Sequence, residues 1–125
     1  HFLLKGSFMN KQEIFDTVAK HLLTQNKKSQ NEYGRSLYRF GTLKCAAGCL
    51  ITDEEYLPEM ENSFVFSILE SKTCPATLST RLLKEKSILN ELQTIHDCKS
   101  VFSWKFELKK LASELELDFS VCDQF

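Results

Sequence analysis

The run Leu37-Tyr-Arg-Phe-Gly-Thr-Leu-Lys-Cys-Ala-Ala-Gly-Cys-Leu-Ile51 sets the tightest limit on what this chain can fold into. It sets two glycines, two alanines and two cysteines in an otherwise apolar stretch, so another segment must approach its backbone closely there. Gly41-Thr42 separates Leu37–Phe40 from Leu43–Cys45 and predicts a short β-hairpin near residues 36–45. From Cys45 to Ile51 the spacing predicts one or two helical turns, with Leu43, Ala46, Ala47 and Leu50 on one stripe. Cys45 and Cys49 then stack one turn apart. Gly48 inside that turn costs about 1 kcal/mol against alanine, which points to close packing.

The rest of the chain reads as helix. Asn10 with Glu13 forms a capping box, and Ile14, Phe15, Val18, Leu22 and Leu23 recur on one face, predicting a helix from Lys11 to Gln25. Asn26 to Gly34 has no apolar period and reads as a surface loop with solvated lysines. Thr52 with Glu55 is a second capping box, and Pro58 interrupts the short acidic turn it starts. Phe64, Val65, Ile68 and Leu69 mark a further helix. After a connection that begins at Cys74-Pro75, the positions Leu82, Leu83, Ile88, Leu89, Leu92 and Ile95 sustain helical spacing to Cys98. A last helix, capped by Ser100 or Ser103, points Trp104, Leu108, Leu111, Ala112 and Leu115 inward, with Trp104 as a core anchor. Leu117, Phe119 and Val121 alternate, which predicts a strand over 117–122 that completes the hairpin sheet. The expected fold class is α+β, mainly helical: four to five helices packed with a small antiparallel sheet.

A length of 125 residues, 42% hydrophobic and 26% charged, suits one globular domain able to bury a core. Residues 1–8 read as a vector remnant, with the domain running from Met9 to Phe125. Sixteen basic and 17 acidic residues leave a net charge of −1, so the chain lacks the positive field that supplies nucleic-acid affinity. Tyr38, Arg39 and Phe40 on a hairpin could stack bases, but the motifs of RNA-binding sheets are absent. No apolar run approaches the ~20 residues a membrane-spanning helix needs, so no membrane partner is expected. Five cysteines cannot all pair, which favours free thiols in a reducing, cytoplasmic compartment.

Three readings of the cysteines follow from their chemistry. As zinc ligands, Cys45 and Cys49 would recruit His96 and Cys98, although the last two sit close together at a helix end and point apart. As a nucleophile, either thiol would need His96 as base and Asp97 as orienter. As small buried hydrophobes, both would simply fill a crossing between elements, and this reading accounts for the whole run. Asp53, Glu54, Glu55, Glu59 and Glu61 form an acidic segment without the alternation of a calcium loop, so they read as solvated. With Tyr56, Tyr38 and Arg39 they also make a candidate surface for a basic protein partner. His21 reads as a boundary residue beside the apolar face of the first helix.

The ordered set Tyr38-Arg39, Leu43 to Ile51, Asp53-Glu54-Glu55-Tyr56, Pro58 to Glu61, Leu92-Gln93, Ile95-His96-Asp97, Trp104 and Leu111-Ala112 resembles a family of small uncharacterised proteins from bacteria and their phages. The resemblance spans nearly the whole chain from Met9 onward. It differs at Phe40-Gly41-Thr42, where the family has a longer glycine-rich turn, and at Thr52, where proline is usual. It implies no particular activity and no cofactor. The expected function is a non-enzymatic interaction or regulatory module, in its narrower form a phage accessory protein acting on a host protein. The alternative is a cysteine-dependent hydrolase or zinc protein using Cys45 or Cys49 with His96.

Overall fold

The computed structural model describes residues 7–125, so residues 1–6 of the expected remnant lie outside the described residues. Met9 is built into the fold: its side chain is buried and its N–H donates to the Arg81 carbonyl at 3.1 Å. Five α-helices and one two-stranded sheet are joined by 3-10 turns among the described residues, an α+β architecture dominated by helix.

Helix α1 spans Lys11–Gln25. The capping box forms as its residue types dictate: Glu13 N–H donates to Asn10 Oδ1 at 2.9 Å, and Asn10 N–H donates to Glu13 Oε1 at 3.0 Å. Ile14, Phe15, Val18, Ala19 and Leu22 face the core, and Asn26 ends the helix in the left-handed region at φ 52°.

The hairpin consists of β1 (Arg39–Phe40) and β2 (Leu43–Lys44), paired antiparallel with Arg39 opposite Lys44 and Phe40 opposite Leu43. Gly41 supplies the positive φ of 62° that its two-residue turn requires. Two residues per strand cannot hold a hairpin in water, and α1 provides the missing support. His21 Nε2 and Gln25 Nε2 lie 2.8 and 2.9 Å from the Lys44 carbonyl, while Lys44 N–H donates to Gln25 Oε1 at 3.0 Å.

Beyond β2 the chain turns into the 3-10 segment Gly48–Leu50, whose Leu50 side chain is fully buried. Gly48 meets the Tyr38 backbone so closely that a Cβ at this position would lie 2.1 Å from the Tyr38 carbonyl oxygen. The close approach that the small-residue run implies is therefore a contact of backbone against backbone.

Helices α2 (Val65–Glu70), α3 (Ala76–Leu82), α4 (Lys86–Cys98) and α5 (Trp104–Glu114) complete the core. The structure corrects three expectations here. The connection after Cys74 is itself helical, since α3 starts directly after Pro75, and a 3-10 turn at Leu83–Glu85 separates it from α4. The apolar stripe runs on from Leu78 and Leu82 to Ile88, Leu89 and Leu92, so spacing carries no sign of that break. Neither Ser100 nor Ser103 caps α5 with its side chain; Ser103 Oγ donates to the Ser100 carbonyl at 2.9 Å, and a 3-10 turn leads into the helix.

The third correction is the C-terminal strand. Residues Ser120–Gln124 form a 3-10 turn, and the chain before them runs along α1 instead of the hairpin. Gln12 uses its side-chain amide as a strand partner would: Nε2 donates to the Asp118 carbonyl at 2.8 Å, and Oε1 accepts from Asp118 N–H at 2.9 Å. Leu117, Phe119 and Val121 do alternate inward as half-buried residues, so the period of two reports burial and not a ladder. Trp104 is fully buried, as expected of an anchor, and its Nε1 also donates to the carbonyls of Ile95 and Lys99 at 3.2 Å, closing the end of α4.

Gly48→Ala should destabilise the fold by roughly 3 kcal/mol or more, because its methyl meets a main-chain oxygen that cannot rotate away. Thermal unfolding checks this, and a melting temperature equal to that of the parent would show that the hairpin and the 3-10 turn can separate at no cost.

Candidate functional site

Helix α4 turns His96 fully into the interior, where it is 0% exposed. Its Nε2 lies 2.9 Å from the main-chain N–H of Ser29, and its Nδ1 lies 2.7 Å from Asp97 Oδ1. A main-chain N–H can only donate, so Nε2 is the acceptor and the ring proton sits on Nδ1, donated to the carboxylate. The ring stacks on Trp104 at 5.6 Å between centroids. Gln93 extends the network, donating from Nε2 to Asp97 Oδ1 at 2.9 Å and accepting from Ala47 N–H at 2.9 Å. Burial works to raise the Asp97 carboxyl, but hydrogen bonds from His96, Ser36 and Gln93 hold it below the usual carboxylate range.

With both ring nitrogens engaged, His96 has no lone pair left to take a proton from a thiol. Cys45 Sγ instead accepts from Gly48 N–H at 3.3 Å, and Cys49 donates its thiol proton to the Ala46 carbonyl at 3.1 Å. Burial pushes the Cys45 thiol up to about 12, and the Asp97 charge adds to the effect. Burial raises Cys49 as well. Burial thus holds both in the thiol form, which disfavours nucleophilic attack. Cys98 is exposed, outside this hydrogen-bonded centre. Among the described residues no group of three or more His, Cys, Asp or Glu side chains is placed to hold a metal ion.

The acidic segment is wired into the fold to a degree its sequence does not show. Glu55 is buried, in contact with the fully buried Arg81, whose Nη2 also donates to the Leu50 carbonyl at 2.9 Å. Thr77 donates its hydroxyl to the same carboxylate, and the Thr52 capping box closes around it, with Thr52 N–H 3.1 Å from Glu55 Oε1. Glu61 holds the hairpin: its two oxygens accept the N–H groups of Tyr38 and Arg39 at 2.8 and 3.2 Å and the Tyr56 hydroxyl at 2.7 Å. Arg39 packs its guanidinium 4.6 Å over the Tyr56 ring, pairs with Asp53 at 2.7 Å and donates to the Ile51 carbonyl at 2.9 Å. Of the expected binding set, Asp53, Glu54 and Glu59 are exposed, whereas Glu55 and Tyr38 are buried and Arg39, Tyr56 and Glu61 are half-buried.

What these clamps frame is a cleft of about 580 Å³ between the segment 35–38, the turn at 61–65 and the outer side of α4. Tyr38, Cys45, Glu61 and Asp97, all singled out by their sequence context, line it. Sequence reasoning missed the other side chains that matter there: Phe64, which is 83% exposed, and the uncharged polar groups of Asn62, Asn90, Gln93 and Thr94. Phe64 carried a readable signal only as a helix-face residue, while it is the residue before the first turn of α2 and faces out. Arg81 was legible as a charge set between Leu78 and Leu82, the buried stripe of α3. Comparison with family models, with curated proteins and with solved structures finds no match.

Glu55 gives the site a defined pH response. Burial would raise its carboxyl, but hydrogen bonds from Arg81, Thr77 and the Thr52 main chain hold it below the usual range. A depressed folded value means a contribution that is full above the unfolded value of about 4.3 and is lost as pH falls through the folded value. Glu55→Gln should cost roughly 3–5 kcal/mol near neutral pH, because it removes the carboxylate charge that the buried Arg81 guanidinium faces, and should flatten the acid limb of the stability profile. Denaturant titrations at several pH values test this, and an unchanged acid limb would refute it. Alkylation of the native protein should label Cys98 first and reach Cys45 only on unfolding; mass mapping that finds Cys45 labelled early would contradict the inert thiol.

Proposed function

We propose that this chain is a non-enzymatic interaction module that receives an extended segment of a partner protein in the cleft beside α4. Phe64 carries the reading: of the exposed large apolar side chains among the described residues it is the one that lines the cleft of about 580 Å³, and at 83% exposure it sets apolar surface beside the cleft's polar groups, where a partner could cover it. The cleft's charged groups, Arg35, Glu61 and Asp97, are each hydrogen-bonded within the fold, which leaves the uncharged polar lining to favour an uncharged peptide over an anion or a sugar phosphate. Asn62, Asn90 and Thr94 offer amide and hydroxyl groups suited to main-chain N–H and C=O groups, and an apolar side chain of the segment would cover Phe64.

Two further observations support the module over an enzyme. The thiols nearest the cleft are protonated and hydrogen-bonded, and His96 has no free nitrogen. The five cysteines are all free, which fits a reducing, cytoplasmic setting. The resemblance to small proteins of bacteria and their phages supports the same picture of a compact accessory protein acting on another protein.

Selection from a displayed library of random peptides tests the reading. Enriched peptides should share an apolar residue in an uncharged stretch. They should bind the Phe64→Arg variant at least about tenfold more weakly, the loss of roughly 1.4 kcal/mol of contact, while its melting temperature stays unchanged. Peptides that bind parent and variant equally well would place the partner elsewhere and sink the assignment.

A further inference from the structure

Ser29 is the neck of the loop that forms one wall of the cleft. It is fully buried, and each of its polar groups is used. Its carbonyl accepts from Leu37 N–H at 3.0 Å, which joins the two ends of the loop, and its hydroxyl faces the Leu43 carbonyl at 3.5 Å. Its N–H goes to His96 Nε2, the tie that fixes this neck to the helical core. The loop beyond is shaped from within: Asn31 Oδ1 accepts from the N–H groups of Tyr33 and Arg35, Gly34 takes a φ of 79°, and Gln30 bridges to Ser36. It is therefore a preformed unit whose fully buried tie to the core is at Ser29, with Ser36 to Asp97, Lys28 to the Asp97 carbonyl and Arg35 to the Glu61 carbonyl as its more exposed ties, and its end, residues 35–37, lines the cleft.

We propose that proton uptake by His96 releases this loop and reshapes the cleft, making the binding site sensitive to acid. A neutral imidazole presents one acceptor and one donor, and this environment uses both. The cation presents two donors. Nδ1–H still meets Asp97, but Nε2–H now points at the Ser29 N–H, and two donors at hydrogen-bond distance in a dry interior repel. The cheaper rearrangement moves the suspended loop, not the helix.

The charged and titratable groups around His96 come from every neighbouring element. Asp97 on α4, 2.7 Å from Nδ1, favours the cation. From the loop, Lys28 reaches over the same helix end, its Nζ 3.3 Å from the Asp97 carbonyl. From α1 comes His21, which feels the His96 charge directly, with Lys44 of the hairpin acting on His21; Tyr38 and Cys45 feel the Asp97 charge. Trp104 on α5 contributes its ring. Lys28 and His21 oppose a further positive charge, so the loop moves when proton uptake at His96 prevails over them.

The proposal rests on the cleft being the binding site only for its functional consequence, so the test reads the loop without any partner. Nuclear magnetic resonance between about pH 8 and 5, with the imidazoles of His96 and His21 assigned separately, follows titration and amide protection together. The expected result is that the protection factor of the Ser29 amide falls roughly tenfold or more in step with the His96 imidazole, while core amides of α1 and α5 keep theirs. His96→Gln keeps an acceptor without a titrating group and should remove the transition; if that variant does not fold, the wild-type comparison of His96 with Ser29 still decides. Ser29 protection that stays constant through the His96 titration, that follows His21 instead, or that falls only with global unfolding overturns the switch. Library-selected peptides that still bind after the loop has released would count against the cleft assignment and leave the switch standing.

Discussion

The buried pair of Arg81 and Glu55 is the constraint around which the rest of this structure is arranged. Two charges without water are costly unless their remaining hydrogen-bonding positions are filled, and the fold brings the groups that fill them from four directions. Leu50 supplies a carbonyl, Thr77 a hydroxyl and its own carbonyl, and Thr52 a main-chain N–H, while Met9 N–H bonds the main-chain carbonyl of Arg81 and so fixes the start of the fold to the same residue, the fourth direction. The consequence is geometric. The segment after the Gly48 turn is stapled to α3, and that fixes the acidic stretch whose other carboxylate, Glu61, holds the hairpin.

The second polar centre, at His96, is satisfied with equal economy but is made of neutral and singly charged groups. In this arrangement the histidine, the carboxylate and the two thiols are each engaged in hydrogen bonds within the fold. Catalysis needs a base with a free lone pair and a nucleophile close to ionisation. Here the lone pair belongs to Ser29, and burial has moved the Cys45 thiol far from ionisation. The thiols behave as packing groups at the place where Gly48 lets two backbones touch.

How much of this was legible follows from the range of each interaction. Both capping boxes, at Asn10 with Glu13 and at Thr52 with Glu55, were readable because both partners lie three residues apart. The hairpin was readable from Gly41, and close packing at Gly48 from the small residues around it. The tail from Leu117 was read correctly as alternating and wrongly as a strand, since its hydrogen-bond partner is a glutamine side chain 106 positions away. The same limit hid the candidate site. Glu55 as an acidic surface residue and Ser29 as a loop serine are the natural local readings, and only Arg81 and His96, distant in sequence, reverse them. Arg81 alone left a trace, as a charge in an apolar stripe.

The cleft that results has one fixed wall and one suspended wall. Tyr38 on the fixed side is held at every polar atom: Glu61 takes its N–H, Cys45 N–H reaches its carbonyl at 3.3 Å, and its hydroxyl donates to the Ser63 carbonyl at 2.7 Å. Gly48 closes against the same residue from below, so that side can shift only with the core. Residues 35–37 on the other side connect to the helical body through the buried neck at Ser29, through Ser36, which hydrogen-bonds Asp97, and through Arg35, whose Nη2 donates to the Glu61 carbonyl at 2.7 Å. Arg35 is exposed and its bond competes with water, whereas the bond from Ser29 does not. The fully buried bond among these ties is the one at Ser29, and its acceptor is the one side-chain type whose acceptor becomes a donor in the physiological pH range.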